Sequence, residues 1–162
     1  MIGEKSAPLF RKALEEISSV STKLISASDL FDQKKDVEAQ FVVGNSYSHL
    51  GMNNEAREAY AEARKMAERA GQKGSAQLAD ALSAFLVARE GNPSRALKEL
   101  QRLAAAPSDR DTEALIWLTV GNVQRLANDP KAALEAFRRV RSIAAPETTA
   151  YKQATEAIAT LQ

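Results

Sequence analysis

The sequence predicts an all-α fold, an array of antiparallel helix pairs with a flanking helix at each end. Three observations carry the prediction. Apolar residues recur at helical spacing, as in Leu9, Phe10, Ala13, Leu14 and Ile17 and again in Leu115, Trp117, Leu118 and Val120, and no run of alternating β-branched residues competes with them. Alanine is abundant while Gly (7) and Pro (5) are few, and alanine loses no side-chain entropy in a helix. Finally, the chain superposes on itself: Gly44 precedes Ala56, Ala84 precedes Ala96 and Gly121 precedes Ala133, each by 12 positions.

Taken in chain order, residues 7–36 read as an N-terminal helix and linker. Pro8 suits a first helical turn, the segment to about Ala27 is amphipathic, and Ser26, Ser28 and Asp29 are good N-cap residues for the next helix. Residues 37–76, 77–113 and 114–146 each read as one helix pair. Their turns are Gly51-Met52-Asn53-Asn54, Gly91-Asn92-Pro93 and Asn128-Asp129-Pro130. Gly or Asn takes the left-handed conformation that ends one helix, and Pro suits the start of the next. Extra residues near Gly71-Gln72-Lys73-Gly74 predict a lengthened pair. Residues 147–162 read as a capping helix with Tyr151, Ala154, Ile158 and Leu161 on its apolar side. Within each pair a small residue and an alanine let two backbones approach. Tyr60, Leu100 and Phe137, each four residues past the alanine, are expected to fill the space against the neighbouring hairpin.

Composition removes several function classes. Lys plus Arg total 22 and Asp plus Glu total 21, a balance that argues against a nucleic-acid partner, which needs clustered cations. Cysteine is absent, so thiolate zinc sites, disulfides and cysteine nucleophiles are excluded. His49 is the single histidine, and no Walker-type or GxGxxG loop occurs, so the sequence predicts no metal, no cofactor and no enzyme chemistry. Pairs such as Glu15-Glu16, Asp36-Glu38 and Glu55-Glu58 read as solvated helix faces. No apolar stretch approaches the ~20 residues that cross a bilayer, so no membrane insertion is expected. The expected compartment is the cytoplasm, or the periplasm if a signal has been removed.

The repeated segments resemble tetratricopeptide repeats, whose pattern is W-x2-L-G-x2-Y, then A-x3-F, then P. The third segment carries Trp117, Val120, Gly121, Ala133, Phe137 and Pro146, with Gln124 at the Tyr position. The first keeps Val43, Gly44, Tyr47, Ala56 and Tyr60, with Gln40 for Trp, and the second keeps Ala84, Ala96, Leu100 and Pro107. The resemblance runs from about Val37 to Pro146. Its spacings of 40 and 37 residues exceed the family's ~34 and look like the longer variants of bacterial regulators and of polarity and motor adaptors.

The resemblance implies a right-handed superhelical α-solenoid that binds a peptide or helix of another protein in its concave groove, as adaptor or scaffold. The first helix of each pair would line that groove. Four-residue spacing then picks out Phe41, Asn45, Ser48 and His49 in the first repeat, Phe85 and Arg89 in the second, and Leu118, Asn122 and Arg125 in the third. Phe41 and Phe85 would anchor, the amides would hold a peptide backbone, and the arginines would favour an acidic residue within it. Leu78, Ala81 and Leu115 lie on the same faces but read as packing residues. The two-carboxylate clamp of chaperone-binding relatives maps onto Phe41, Asn45, Leu82, Leu115 and Thr119, where only Asn45 survives, so acidic C-terminal tails are not expected to bind. A regulatory sensor with the N-terminal helix plugging the groove, and a homo-oligomeric assembly module, stand as alternatives.

Overall fold

The computed structural model describes residues 34–162, and every regular element among them is α-helical. The helix expected from Pro8 to Ala27 lies outside the described residues. Helix α1 runs through residues 34–49. After it come α2 (Asn53–Arg69), α3 (Lys73–Arg89), α4 (Pro93–Ala104), α5 (Arg110–Leu126), α6 (Pro130–Ile143) and α7 (Thr149–Leu161). Helices α3 and α5 begin four residues before the expected segment starts at 77 and 114, and α1 is already helical at 34.

One turn design is used four times. Gly51, Gly71, Gly91 and Asn128 all take positive φ, at 74°, 69°, 93° and 58°. The amide of the next residue reaches back five positions: Met52 to Tyr47, Gln72 to Ala67, Asn92 to Val87 and Asp129 to Gln124, at 2.8 to 3.2 Å. These are Schellman closures, in which a left-handed residue satisfies carbonyls that the helix end leaves open. The next helix starts two residues on, with Pro93 and Pro130 opening α4 and α6. The Gly71 turn is as tight as the others. The extra length of the first pair therefore sits in α2, which has 17 residues against 12 in α4 and 14 in α6.

The exits from α4 and α6 are built differently. Asp109 and Thr148, both extended, cap α5 and α7 by accepting from the amides of Thr112 at 2.7 Å and Tyr151 at 3.3 Å. The α4–α5 loop is also held from α3, because Gln77 donates to the Ala106 carbonyl and accepts from the Ser108 amide, both at 2.8 Å.

Packing is sequential, with α2 on α3, α3 on α4, α5 on α6 and α6 on α7, and it includes next-but-one contacts of α3 with α5 and α5 with α7. By contrast α2 does not reach α4, nor α4 reach α6. The first helices thus close on one another while the second helices stand apart. Apolar burial is divided among three clusters in succession. Ala56, Tyr60 and Leu86 join the first pair to the second, with Phe41 and Leu82 against them. Leu100, Leu103, Ile116, Val120 and Val123 join the second to the third. Phe137, Val140, Ala154 and Ile158 join the third to α7. Trp117 packs against both later clusters, under the Arg139 guanidinium at 5.2 Å.

One packing expectation is corrected. Tyr60 and Phe137 press their rings onto the glycines of their own pairs rather than only onto the next hairpin. A Cβ on Gly44 would fall 2.5 Å from Tyr60 Cε1, and one on Gly121 2.7 Å from Phe137 Cδ1 and Cζ. The glycine is absent where the partner is smaller: Ala84 holds the equivalent place before Leu100. Small-to-large complementarity inside each pair sets the helix separation.

Candidate functional site

The nine predicted groove residues divide into two neighbourhoods, with Phe85 and His49 in neither. In the first, the polar groups are engaged within the chain. The Tyr60 hydroxyl donates to Asn45 Oδ1 at 2.7 Å, and the Phe41 ring lies 6.4 Å from the Tyr60 ring at a 43° tilt. Arg89 on α3 donates to the Ser48 carbonyl at 2.6 Å and to its hydroxyl at 3.0 Å. Burial raises the Tyr60 phenol above its ordinary pKa, while the Ser48 hydroxyl and the Arg89 charge pull it partly back. Asn45 and Arg89 are exposed, as expected, but Ser48 is buried. Together these side chains tie the C-terminal part of α1 to α2 and α3. Phe85 is half-buried against the cluster of Leu100 and Ile116, and His49 is exposed.

The second neighbourhood is open. Leu118, Asn122 and Arg125 lie on one face of α5 at four- and three-residue spacing and face Gln153, Glu156 and Thr160 of α7 across a notch of about 360 Å³. Gly121 makes its back wall possible. Without a side chain there, Phe137 of α6 reaches the rear of the notch, and Arg125 rests over that ring at 5.9 Å. The base is apolar, from Leu118, Ala157 and Phe137. Half-buried Asn122 offers a donor and an acceptor at mid-height. Arg125 at the rim has no ion-pair partner among the described residues. A carboxylate at the rim would gain a charge-assisted bond, and an apolar side chain would fit the base. The α7 half of the notch is absent from the predicted groove, because the apolar side of a capping helix does not reveal what its polar side faces. The i, i+3, i+7 set Gln153, Glu156 and Thr160 is its sequence signal.

Of the residues anticipated as packing rather than binding, Ala81 is fully buried and Leu115 packs on the cluster of Phe137, whereas Leu78 is half-buried and belongs to none of the core clusters. Of the mapped clamp positions, Thr119 is buried with its hydroxyl on the Leu115 carbonyl at 2.9 Å. Among the described residues no three His, Asp or Glu side chains converge as metal ligands, and no helix is long and apolar enough to cross a membrane. A groove on the opposite side of α3, lined by Asp80, Ser83, Val87, Arg95 and Lys98, is a further feature that sequence spacing does not predict. Compared with known proteins, the chain matches no family model and no curated sequence.

Proposed function

We propose that the chain is a tetratricopeptide-like binding module, without chemistry of its own, that holds a segment of a partner protein along the face of its first helices. The observation that carries this reading is the α5–α7 notch, where an apolar base sits with an amide and a guanidinium that have no hydrogen-bond or ion-pair partner among the described residues. The spacing of the helices supports it. Contacts of α3 with α5 and α5 with α7, without contact between α2 and α4, are what a stack curved toward its first helices would have. The proposed grip is an acidic residue on Arg125, a backbone amide on Asn122 and an apolar side chain on Leu118. Phe41, Asn45, Ser48 and Arg89 shape the far end of the face in this reading, with Asn45 Oδ1, the Ser48 hydroxyl and Arg89 Nη1 engaged within the chain.

The test is peptide display against the chain and against an Asn122→Ala/Arg125→Ala variant. Sequences that depend on the pair should carry an internal acidic residue beside an apolar one, and amidating their C-termini should leave affinity unchanged. A selected set that binds the variant equally well removes the notch as the site. Binding abolished by amidation would show a terminal-carboxylate clamp instead.

A further inference from the structure

The side of α3 turned away from Phe85 and Arg89 carries a groove that the proposed peptide face does not use. At 100° per residue the two faces lie about 160° apart around the helix. The floor of the groove is α3 from Lys73 to Val87, and its walls are α2 and α4, whose backbones do not approach each other. Two hollows of about 860 and 460 Å³ lie along it and meet at Asp80, together following roughly 20 Å of α3 at the helical rise. Its depth comes from small floor residues, Ala76, Ser83 and Ala84, where a packed helix face would carry leucines.

The charges along the walls are not equivalent. Arg57 is held by Glu90 at 2.6 and 2.7 Å, Arg64 by Asp80 at 3.0 Å and Glu68 at 3.1 Å, and Arg102 by Glu99 at 2.6 Å. Arg95 and Lys98, on the α4 wall of the larger hollow, are exposed and have no ion-pair partner among the described residues. Beneath them Val87 is half-buried and offers an apolar surface, while Ala84 and Ala96 are packed in the core behind it. Asp80 sits at the junction of the hollows. Its burial outweighs Arg64 and lifts its carboxyl above the ordinary range, as expected of a poorly solvated acceptor.

We infer that this groove is a second docking surface, made for an acidic, partly apolar segment of a partner protein. An apolar side chain of that segment would lie on Val87, and its carboxylates on Arg95 and Lys98. A nucleic acid fits worse, because Glu68, Asp80 and Glu99 line the same groove and would face a continuous run of phosphates. Discrete carboxylates set between apolar side chains can avoid them.

The experiment titrates a fluorescein-labelled (Glu-Ala-Glu-Leu)3 peptide into the full chain at low salt and reads anisotropy. Saturable binding is expected, weakened at least tenfold by Arg95→Glu/Lys98→Glu and unchanged by Arg125→Glu. The second control separates this surface from the notch, so either reading can fail alone. Ser83→Trp, which fills the floor without touching the rim charges, should also abolish binding while helicity stays constant. If that variant misfolds, the charge reversal still decides, since both its side chains are exposed. The inference is overturned if the wild type does not bind the peptide, if the charge reversal has no effect, or if Arg125→Glu removes binding. It is likewise overturned if a 20-nucleotide single strand binds more tightly than the peptide and is lost with the same reversal, which would make the surface a nucleic-acid one.

Discussion

Gly121→Leu is the sharpest test of the packing. The Cβ alone would arrive 2.7 Å from Phe137 Cδ1 and Cζ, whereas carbon atoms settle at ~3.5–4.0 Å, so the ring must retreat about 1 Å. It has little room to do so, because Phe137 is wholly buried among Ala133, Val140, Ala154 and Ile158. Overpacking of this kind costs ~1–3 kcal/mol, and three further carbons put leucine at the upper end or beyond. The helix-propensity gain on replacing glycine, below ~1 kcal/mol, opposes this without cancelling it. A net loss near 2–3 kcal/mol corresponds to a fall in Tm of roughly 4–12 °C for a domain of this size. Chemical melts followed by circular dichroism would measure it. The second pair supplies an internal control, because Ala84 and Leu100 hold the same 16-residue separation as Gly121 and Phe137. Gly121→Ala/Phe137→Leu rebuilds that combination in the third pair. The double variant should therefore be at least ~1 kcal/mol more stable than the summed single losses predict. Unchanged midpoints for Gly121→Leu, or additivity within ~0.5 kcal/mol, would refute the small-to-large account.

Two further predictions concern the caps and ties. Asp109→Ala should cost ~1 kcal/mol, the usual worth of an N-cap, and soften the acid limb of the stability curve. Burial pushes the Asp109 carboxyl up, but the Thr112 amide, the Thr112 and Ser108 hydroxyls and the Asp111 amide outweigh it and leave the pKa lowered from 3.8. A depressed folded-state pKa means that this stabilisation is present above about pH 4 and is lost as pH falls through the folded value, so wild type and variant should converge in acid melts. Arg89→Ala removes two donors to Ser48 and should cost about 1 kcal/mol, with hydrogen exchange accelerating in α1 before α5. Equal protection of α1 in both proteins would show that the tie contributes nothing.

The helices and turns are legible in the sequence because they rest on local chemistry. Gly51, Gly91 and Asn128 announce the left-handed exit, and Pro93 and Pro130 the next entrance, within three residues. The same signal at Gly71 predicts a lengthened pair without saying which part of it is longer. Its meaning depends on the 17 residues of α2, which no neighbouring residue reports. The small-residue frame is legible for a similar reason, since a repeated spacing of 12 survives in sequence even where Trp and Tyr do not.

The candidate site is legible only by half. Helical spacing names which residues share a face, and it groups Leu118, Asn122 and Arg125 as they stand beside one another in the notch. It is silent on partners far along the chain. Arg89 and Arg125 are both named by spacing for the same face, yet one meets the Ser48 carbonyl 41 residues earlier and the other, among the described residues, meets a ring face and no ion-pair partner. The difference arises because α1 offers a buried hydroxyl and a C-terminal carbonyl at that point. The groove behind α3 is hidden for the converse reason. Ala76, Ser83 and Ala84 look like packing residues, and they become a groove floor only because α2 and α4 fail to meet across them. A helix made of small residues can pack closely or be left partly uncovered, and the spacing of its neighbours, rather than its own sequence, decides between the two.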